Sequence, residues 1–430
     1  MESNPPRITR SVPLRAYAVV LSLLHPLTAA AWFTYKHIAS LATGEDCVCW
    51  PFFPGCEALR AHLAAAGVRA ATVMYGAFGL GAAGAFLLRG ARAARAGTIL
   101  FVAAALLGTF LYALDYRLRL NQTYMFGWVI LVFLLVRRPV RALQAMIALF
   151  YFWAGTLKVN AEWTSGAALY RSPLLVPAAL VPAACIYVLV LELVLVWGLF
   201  APWARVRWLV YAQLIVFHAV SWPIVGYFYP LLMFGLTSIF PLVWIAVPEE
   251  TLTWHGFRAD ASDRREVLLL AGVFSLFQLV PYLYPGDTAL TGEGRLFALH
   301  MFDARVACEG GALLTAANGR QSRAELINPQ LDVRTRCDPI VLIAEAERLC
   351  TLLAAQADPT RIARVDVLID AKRSSDPVMH PLVRARDVCN HPVRYSPYRH
   401  NGWIGTGADE AAPTRADKTP ATTNSARNGE

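Results

Sequence analysis

The stretch Tyr151-Phe152-Trp153-Ala154-Gly155-Thr156-Leu157-Lys158-Val159-Asn160-Ala161-Glu162-Trp163-Thr164-Ser165-Gly166 decides how this chain is read. It sets a lysine at the end of an otherwise apolar segment of membrane length. Near mid-membrane a lysine costs about 2.5–3.5 kcal/mol on insertion scales, and less toward the surface. Two readings follow from that cost. In one, Lys158 lies at the membrane surface, snorkels to water and pairs with Glu162 four residues on. In the other, it is enclosed in a dry pocket, where desolvation favours the neutral amine and lets it act as a general base.

The surrounding composition makes the membrane setting firm. Hydrophobic residues are 57% of the chain and charged residues 16%, with a mean hydropathy of +0.44; about 25% charged is usual for a soluble protein. The first apolar run, 19–33, follows Arg7, Arg10 and Arg15. It lacks a small-x-small cleavage site in polar surroundings and further spans follow it, so it reads as a retained helix and not a secretory signal. The net charge of +9 reports topology. Arg89, Arg92 and Arg95, then Arg137, Arg138 and Arg141, then Arg205 and Arg207, then Arg258, Arg264 and Arg265 form clusters that alternate with poorer loops, the positive-inside pattern. Nucleic acid is therefore not an expected partner.

At about 20 apolar residues per span, hydropathy predicts about nine helices near 16–35, 71–88, 98–115, 122–136, 142–158, 173–200, 207–222, 229–247 and 267–285. The expected fold is an all-α polytopic membrane bundle with its N-terminus inside and its C-terminus outside. Within 207–247, Pro223, Gly226 and Pro230 mark either a turn or a broken, partly re-entrant segment. The bundle would occupy 1–285, with an extracytoplasmic loop at 36–70. A small extracytoplasmic α+β domain is expected over 286–404, built from alternating runs such as Arg364-Val365-Asp366-Val367-Leu368-Ile369-Asp370 and a helix from Pro339 to Ala355. Residues 405–430 are rich in Ala, Thr, Asp and Asn without apolar periodicity and read as a disordered tail.

Of eight cysteines, Cys47, Cys49 and Cys56 fall in the first loop, and Cys308, Cys337, Cys350 and Cys389 in the C-terminal region; Cys185 sits alone in a span. Clustering on one side favours disulfides in an oxidising compartment. The alternative, a metal site at Cys47-Val48-Cys49 with Cys56, lacks the usual zinc spacing, and no metal is expected. Because cysteines two apart do not readily bond each other, at least one of the first three is expected to reach elsewhere, toward the C-terminal region.

Other candidates are polar groups within spans. His218, in Val216-Phe217-His218-Ala219, either hydrogen-bonds a neighbouring helix or takes part in chemistry. Glu192, in Val190-Leu191-Glu192-Leu193, is either a neutral or lysine-paired structural group or a proton relay. Asp115, Arg117, Asn121, Gln122 and Tyr124 gather at the end of the third and fourth spans, lining a polar headgroup site or solvating a short loop.

The pattern Tyr151-Phe152-x-Ala154-Gly155-x-x-Lys158-x-x-Ala161-x-Trp163-x-x-Gly166 resembles the lysine motif of the vitamin K-dependent gamma-carboxylase family and its bacterial relatives, the horizontally transferred transmembrane domain (HTTM) proteins. Leu120-Asn121-Gln122-Thr123-Tyr124-Met125-Phe126-Gly127, Phe217-His218 with Gly226, Phe228 and Pro230, and Thr291-Gly292-Glu293-Gly294-Arg295 leading to His300-Met301-Phe302 resemble further family segments in order and spacing. The likeness covers roughly residues 15–305.

The resemblance implies that Lys158, with His218 and Glu192 in one cavity, deprotonates a reduced naphthoquinone, a vitamin K-like quinol. It places Asn121, Gln122, Tyr124 and Trp163 around the quinol. Oxygen then generates a far stronger base, which removes a proton next to a carboxylate group, and carbon dioxide traps the carbanion. An amine alone is too weak to take a carbon-bound proton, and a membrane pocket protects such intermediates from water. The implied substrate is an extracytoplasmic peptide or carboxylate, and the implied setting a bacterial inner membrane.

Gln122 departs from the family, whose motif has histidine there; glutamine cannot titrate. That departure, with the short outer domain, keeps a second expectation open: a non-carboxylating HTTM protein that aids maturation, export or immunity of a secreted peptide. A transporter would require inverted repeats and broken mid-membrane helices, and only 223–230 hints at these.

Overall fold

The computed structural model describes residues 11–35, 48–53, 55–63, 65–254, 261–301, 305–331, 335–355 and 362–406. Cys47 and residues 407–430, most of the expected tail, lie outside the described residues. The chain is mostly helical, with a small sheet near its C-terminus. In order, the helices are α1 (Val12–Tyr35), α2 (Cys56–Ala61), α3 (Ala65–Leu87), α4 (Ala91–Leu114), α5 (Asn121–Leu135), α6 (Pro139–Leu157) and α7 (Ala161–Thr164). They continue as α8 (Val181–Leu193), α9 (Ala204–Val225), α10 (Phe228–Thr237), α11 (Ile239–Ala246), α12 (Ala261–Leu279) and α13 (Thr288–Thr291).

Among the described residues, eight helical segments are long and apolar enough to cross a membrane, and α5, at 15 residues, is a shorter apolar helix. All nine stretches marked by hydropathy fall on these segments. Boundaries differ where arginines intervene: α4 begins at Ala91 and so contains Arg92 and Arg95, whose long stems let charged heads leave an apolar surface. At 207–247 the chain makes a turn: α9 ends at Gly226, whose φ of +73° suits a residue without a Cβ, and α10 with α11 runs back.

The hub is α6. Its span is 72% buried within the protein, and it packs against α5, α8, α11 and α12. Pro139 stands in its first turn, where a missing N–H costs nothing. Its core residues Leu143, Met146, Ile147 and Phe150 are sealed on all sides. By contrast, the spans Ala178–Phe200 and Ala204–Val225 are only 22% and 17% buried and present apolar side chains outward, as lipid-facing helices do. At the bundle's other end, the Arg15 guanidinium donates to the Phe86, Leu87 and Leu88 carbonyls, satisfying acceptors that α3 leaves at its C-terminus.

The C-terminal domain is a four-stranded antiparallel sheet of β1 (Val306–Ala316), β2 (Gln321–Ala324), β3 (Ile362–Arg373) and β4 (His380–Ala385), in the order β2-β1-β3-β4. The helix α14 (Pro339–Ala355) covers it, burying Leu342, Ile343 and Ala346 with Val365, Val367, Ile369, Leu382 and Val383. The run 364–370 is part of β3, and the helix expected from Pro339 to Ala355 is present over those residues.

Among the described residues three disulfides are formed: Cys49–Cys56, Cys308–Cys337 and Cys350–Cys389. This corrects the expectation that a first-loop cysteine reaches the C-terminal region. Cys49 finds its partner seven residues on, because a turn closed by Phe53 N donating to the Trp50 carbonyl brings Cys56 at the start of α2 back to it. Cys185 is free and buried.

Candidate functional site

Lys158 is the C-cap residue of α6 and is only 4% exposed. Its Nζ lies 2.6 Å from both Oε1 and Oε2 of Glu192, itself 1% exposed in the last turn of α8. Gly155 makes this pairing possible. A Cβ at that position would come within 2.9 Å of Leu193 Cδ2 and 3.0 Å of Glu192 Cβ, so only glycine lets α8 approach α6 this closely. Just past Glu192, α8 gives way to a 3₁₀ turn over Leu195–Phe200, a local irregularity of the kind found beside functional groups.

The geometry overturns the pairing of Lys158 with Glu162. After Lys158 the helix stops, Asn160 Oδ1 accepts from Trp163 N at 2.9 Å to start α7, and helical i,i+4 spacing no longer applies. Glu162 turns instead toward the C-terminal domain. Its Oε2 accepts from Ser375 N at 3.0 Å and from the Ser375 hydroxyl, while Oε1 is buried without a partner among the described residues.

Beside the ion pair lies an apolar hollow of about 690 Å³, counting the space at its open side. Lys158 and Trp163 stand at one wall, Leu169, Pro173 and Val176 on the connecting loop, Cys185 and Val188 on α8, and Phe217, Val220 and Ser221 on α9. Tyr229 and Met301 also line it. The amine lies 5.1 Å from the Trp163 ring centroid and 5.9 Å from that of Phe217, within cation–π range. Trp163 is fixed by its indole N–H, which donates to the Cys185 carbonyl at 2.9 Å.

His218 is fully buried and its Nε2 is 2.6 Å from Tyr151 Oη, while Nδ1 has no partner among the described residues. The histidine thus bonds a neighbouring helix, behind the hollow's wall. Of the residues predicted around a quinol, Trp163 lines the hollow. Asn121, Gln122 and Tyr124 are not among its lining residues. Asn121 instead exchanges two hydrogen bonds with the His300 backbone, at 2.6 and 2.7 Å. Tyr124 donates to the Phe297 carbonyl at 2.5 Å and accepts from Gln278 at 3.0 Å, so both pin the 295–301 segment whose Met301 closes the hollow.

Asp115 and Arg117 form a buried bidentate pair, 3.0 and 2.9 Å, and not a solvated loop. No group of three or more His, Cys, Asp or Glu side chains able to hold a metal occurs among the described residues. Sequence reasoning passed over Tyr229, although Tyr227 and Tyr229 flanking Phe228 just after a glycine turn was a visible signal.

Chemically, an ammonium has three donors, and two here are aimed at one carboxylate. Both groups are buried, so each charge depends on the other for its counter-charge. Comparison with known family models, curated proteins and solved structures finds no match to this chain.

Proposed function

We propose that this chain is an integral membrane enzyme of carboxylase-like type, in which Lys158 and Glu192 together take a proton from a ring hydroxyl of a reduced naphthoquinone. The observation that carries the reading is a buried, doubly hydrogen-bonded amine at the wall of an otherwise apolar hollow. An apolar, aromatic lining with a few convergent polar groups suits a flat hydrophobic ring. Two flanking spans are mostly exposed, which suits a ligand that arrives through lipid.

When bound, the quinol supplies, with oxygen, the basicity that no protein amine has; carbon dioxide is the further cosubstrate. The protein's part is to accept the hydroxyl proton at the Lys158–Glu192 pair, to hold the positive ammonium beside the oxygen left behind, and to keep water out through Trp163, Phe217 and Val188. The acceptor of the chemistry is an extracytoplasmic peptide or carboxylate.

Orientation follows from charge and sulfur. Arg89, Arg137 and Arg138 lie in short connections and Arg205 and Arg207 in the first turn of α9, at alternate span ends from the first loop and the C-terminal domain, which hold the disulfides that form in oxidising compartments. This reading puts the N-terminus inside, the C-terminal domain outside, and the chain in a bacterial inner membrane. Gln122 supports the second reading, a non-carboxylating HTTM protein serving a secreted peptide.

The test is oxygen uptake by the full chain in nanodiscs supplied with reduced 2-methyl-1,4-naphthoquinone. Uptake that is lost in Lys158→Ala, in variant protein that still elutes as a folded species, supports the reading. Wild-type turnover in that variant removes it.

A further inference from the structure

We propose that Tyr229 is a second polar contact for the ligand of the hollow, and that with Lys158 it makes the hollow selective for an apolar ring bearing oxygen atoms. The inference rests on the hollow being a ligand site, as proposed above, and adds what that ligand must carry.

The support is an inventory of the side-chain nitrogen and oxygen groups on the lining. Trp163 spends its N–H on the Cys185 carbonyl. Ser221 donates to the His218 carbonyl at 3.0 Å. Lys158 gives two donors to Glu192 and keeps one. Tyr229 differs: its hydroxyl makes no hydrogen bond to any described residue, yet it is not among the partnerless polar atoms sealed in packing. The residue is partly exposed and lines the hollow.

A phenol in apolar surroundings ordinarily finds a partner, and this one can both donate and accept. Its place is fixed by α10, which starts two residues after the Gly226 turn, and by packing of its ring against His218 at 5.5 Å between centroids. It lines the same hollow as Lys158. A ligand oxygen there meets the remaining Lys158 N–H and the Tyr229 hydroxyl, while Val188, Val220 and Met301 contact hydrocarbon. A site that hydrogen-bonds a ligand oxygen discriminates strongly against the analogue lacking it, because its own polar groups are then stranded.

The experiment is equilibrium binding to the full chain in nanodiscs of two probes of similar shape, 2-methyl-1,4-naphthoquinone and 2-methylnaphthalene, with protein-free nanodiscs subtracted. Wild type is expected to prefer the quinone at least tenfold. Tyr229→Phe, which keeps the ring, is expected to weaken quinone binding about five- to tenfold and leave hydrocarbon binding unchanged. If wild type prefers the quinone and Tyr229→Phe binds both probes as wild type does, the Tyr229 assignment is overturned while the ligand site stands. If wild type binds both probes equally, the ligand reading of the hollow is overturned, and the assignment with it.

Discussion

Lys158 Nζ sits 2.6 Å from each carboxylate oxygen of Glu192, 34 residues further along the chain. Neither charge is tolerable alone at this burial, so the two act as a unit. Removing one partner of such a pair typically costs about 3–5 kcal/mol.

Gly155 is the residue on which that contact depends. Gly155→Ala puts a methyl group against Glu192 and Leu193 at 2.9–3.0 Å, where backbones must separate. We expect a loss of about 1–3 kcal/mol, the usual cost of overpacking, visible as a lowered midpoint in thermal unfolding in detergent. An unchanged midpoint would show that α6 and α8 have room to spare.

Tyr151→Phe strips His218 of its partner at Nε2 and leaves a fully buried imidazole with no bond at either nitrogen. The expected cost is about 1–3 kcal/mol. Denaturant or thermal unfolding of the variant measures it, and His218→Phe in the same background should return part of the loss, since no stranded polar ring remains.

The junction between bundle and C-terminal domain carries an alkaline sensitivity. Tyr116 donates to Asp338 Oδ2 at 2.8 Å, and burial, followed by the charge of Asp338, raises its pKa well above the ordinary 10.0. With the folded value above the unfolded one, stability from this group is full below about pH 10 and is lost as pH rises through the raised value. Unfolding midpoints should therefore fall above pH 10, and Tyr116→Phe, with no proton to lose, should flatten that fall. A slope identical to wild type would mean that other groups set it.

Peptide mapping without reduction should recover Cys308 linked to Cys337 and Cys350 linked to Cys389, with Cys185 alkylated only after unfolding. Loops of 29 and 39 residues predict about 3–4 kcal/mol of stabilisation each in the chain-entropy model. A double Cys350→Ser, Cys389→Ser variant with wild-type stability would contradict this.

Much of the bundle was legible because apolar length and arginine placement are local properties. Lys158 stood out for the same reason: a charge at the end of a membrane-length run is costly wherever its neighbours lie. Its partner was harder to read. Counting four residues on pointed to Glu162, but the helix ends at Lys158, and the true contact depends on how closely α8 packs at Gly155, a tertiary fact. Asn121 and Tyr124 likewise look like site residues by their polarity, yet they spend their hydrogen bonds on the backbone of a segment some 175 residues away. The Cys49–Cys56 bridge was obscured because a tight turn, unseen in the spacing, closes it.

The most direct test of the account is the rate of naphthoquinol-dependent oxygen uptake by Glu192→Gln with Lys158 intact. If the pair is the base, the rate falls by about 10²–10⁴-fold, the usual contribution of a positioned acid–base group, while the protein still binds the ring. A rate within twofold of wild type would contradict it.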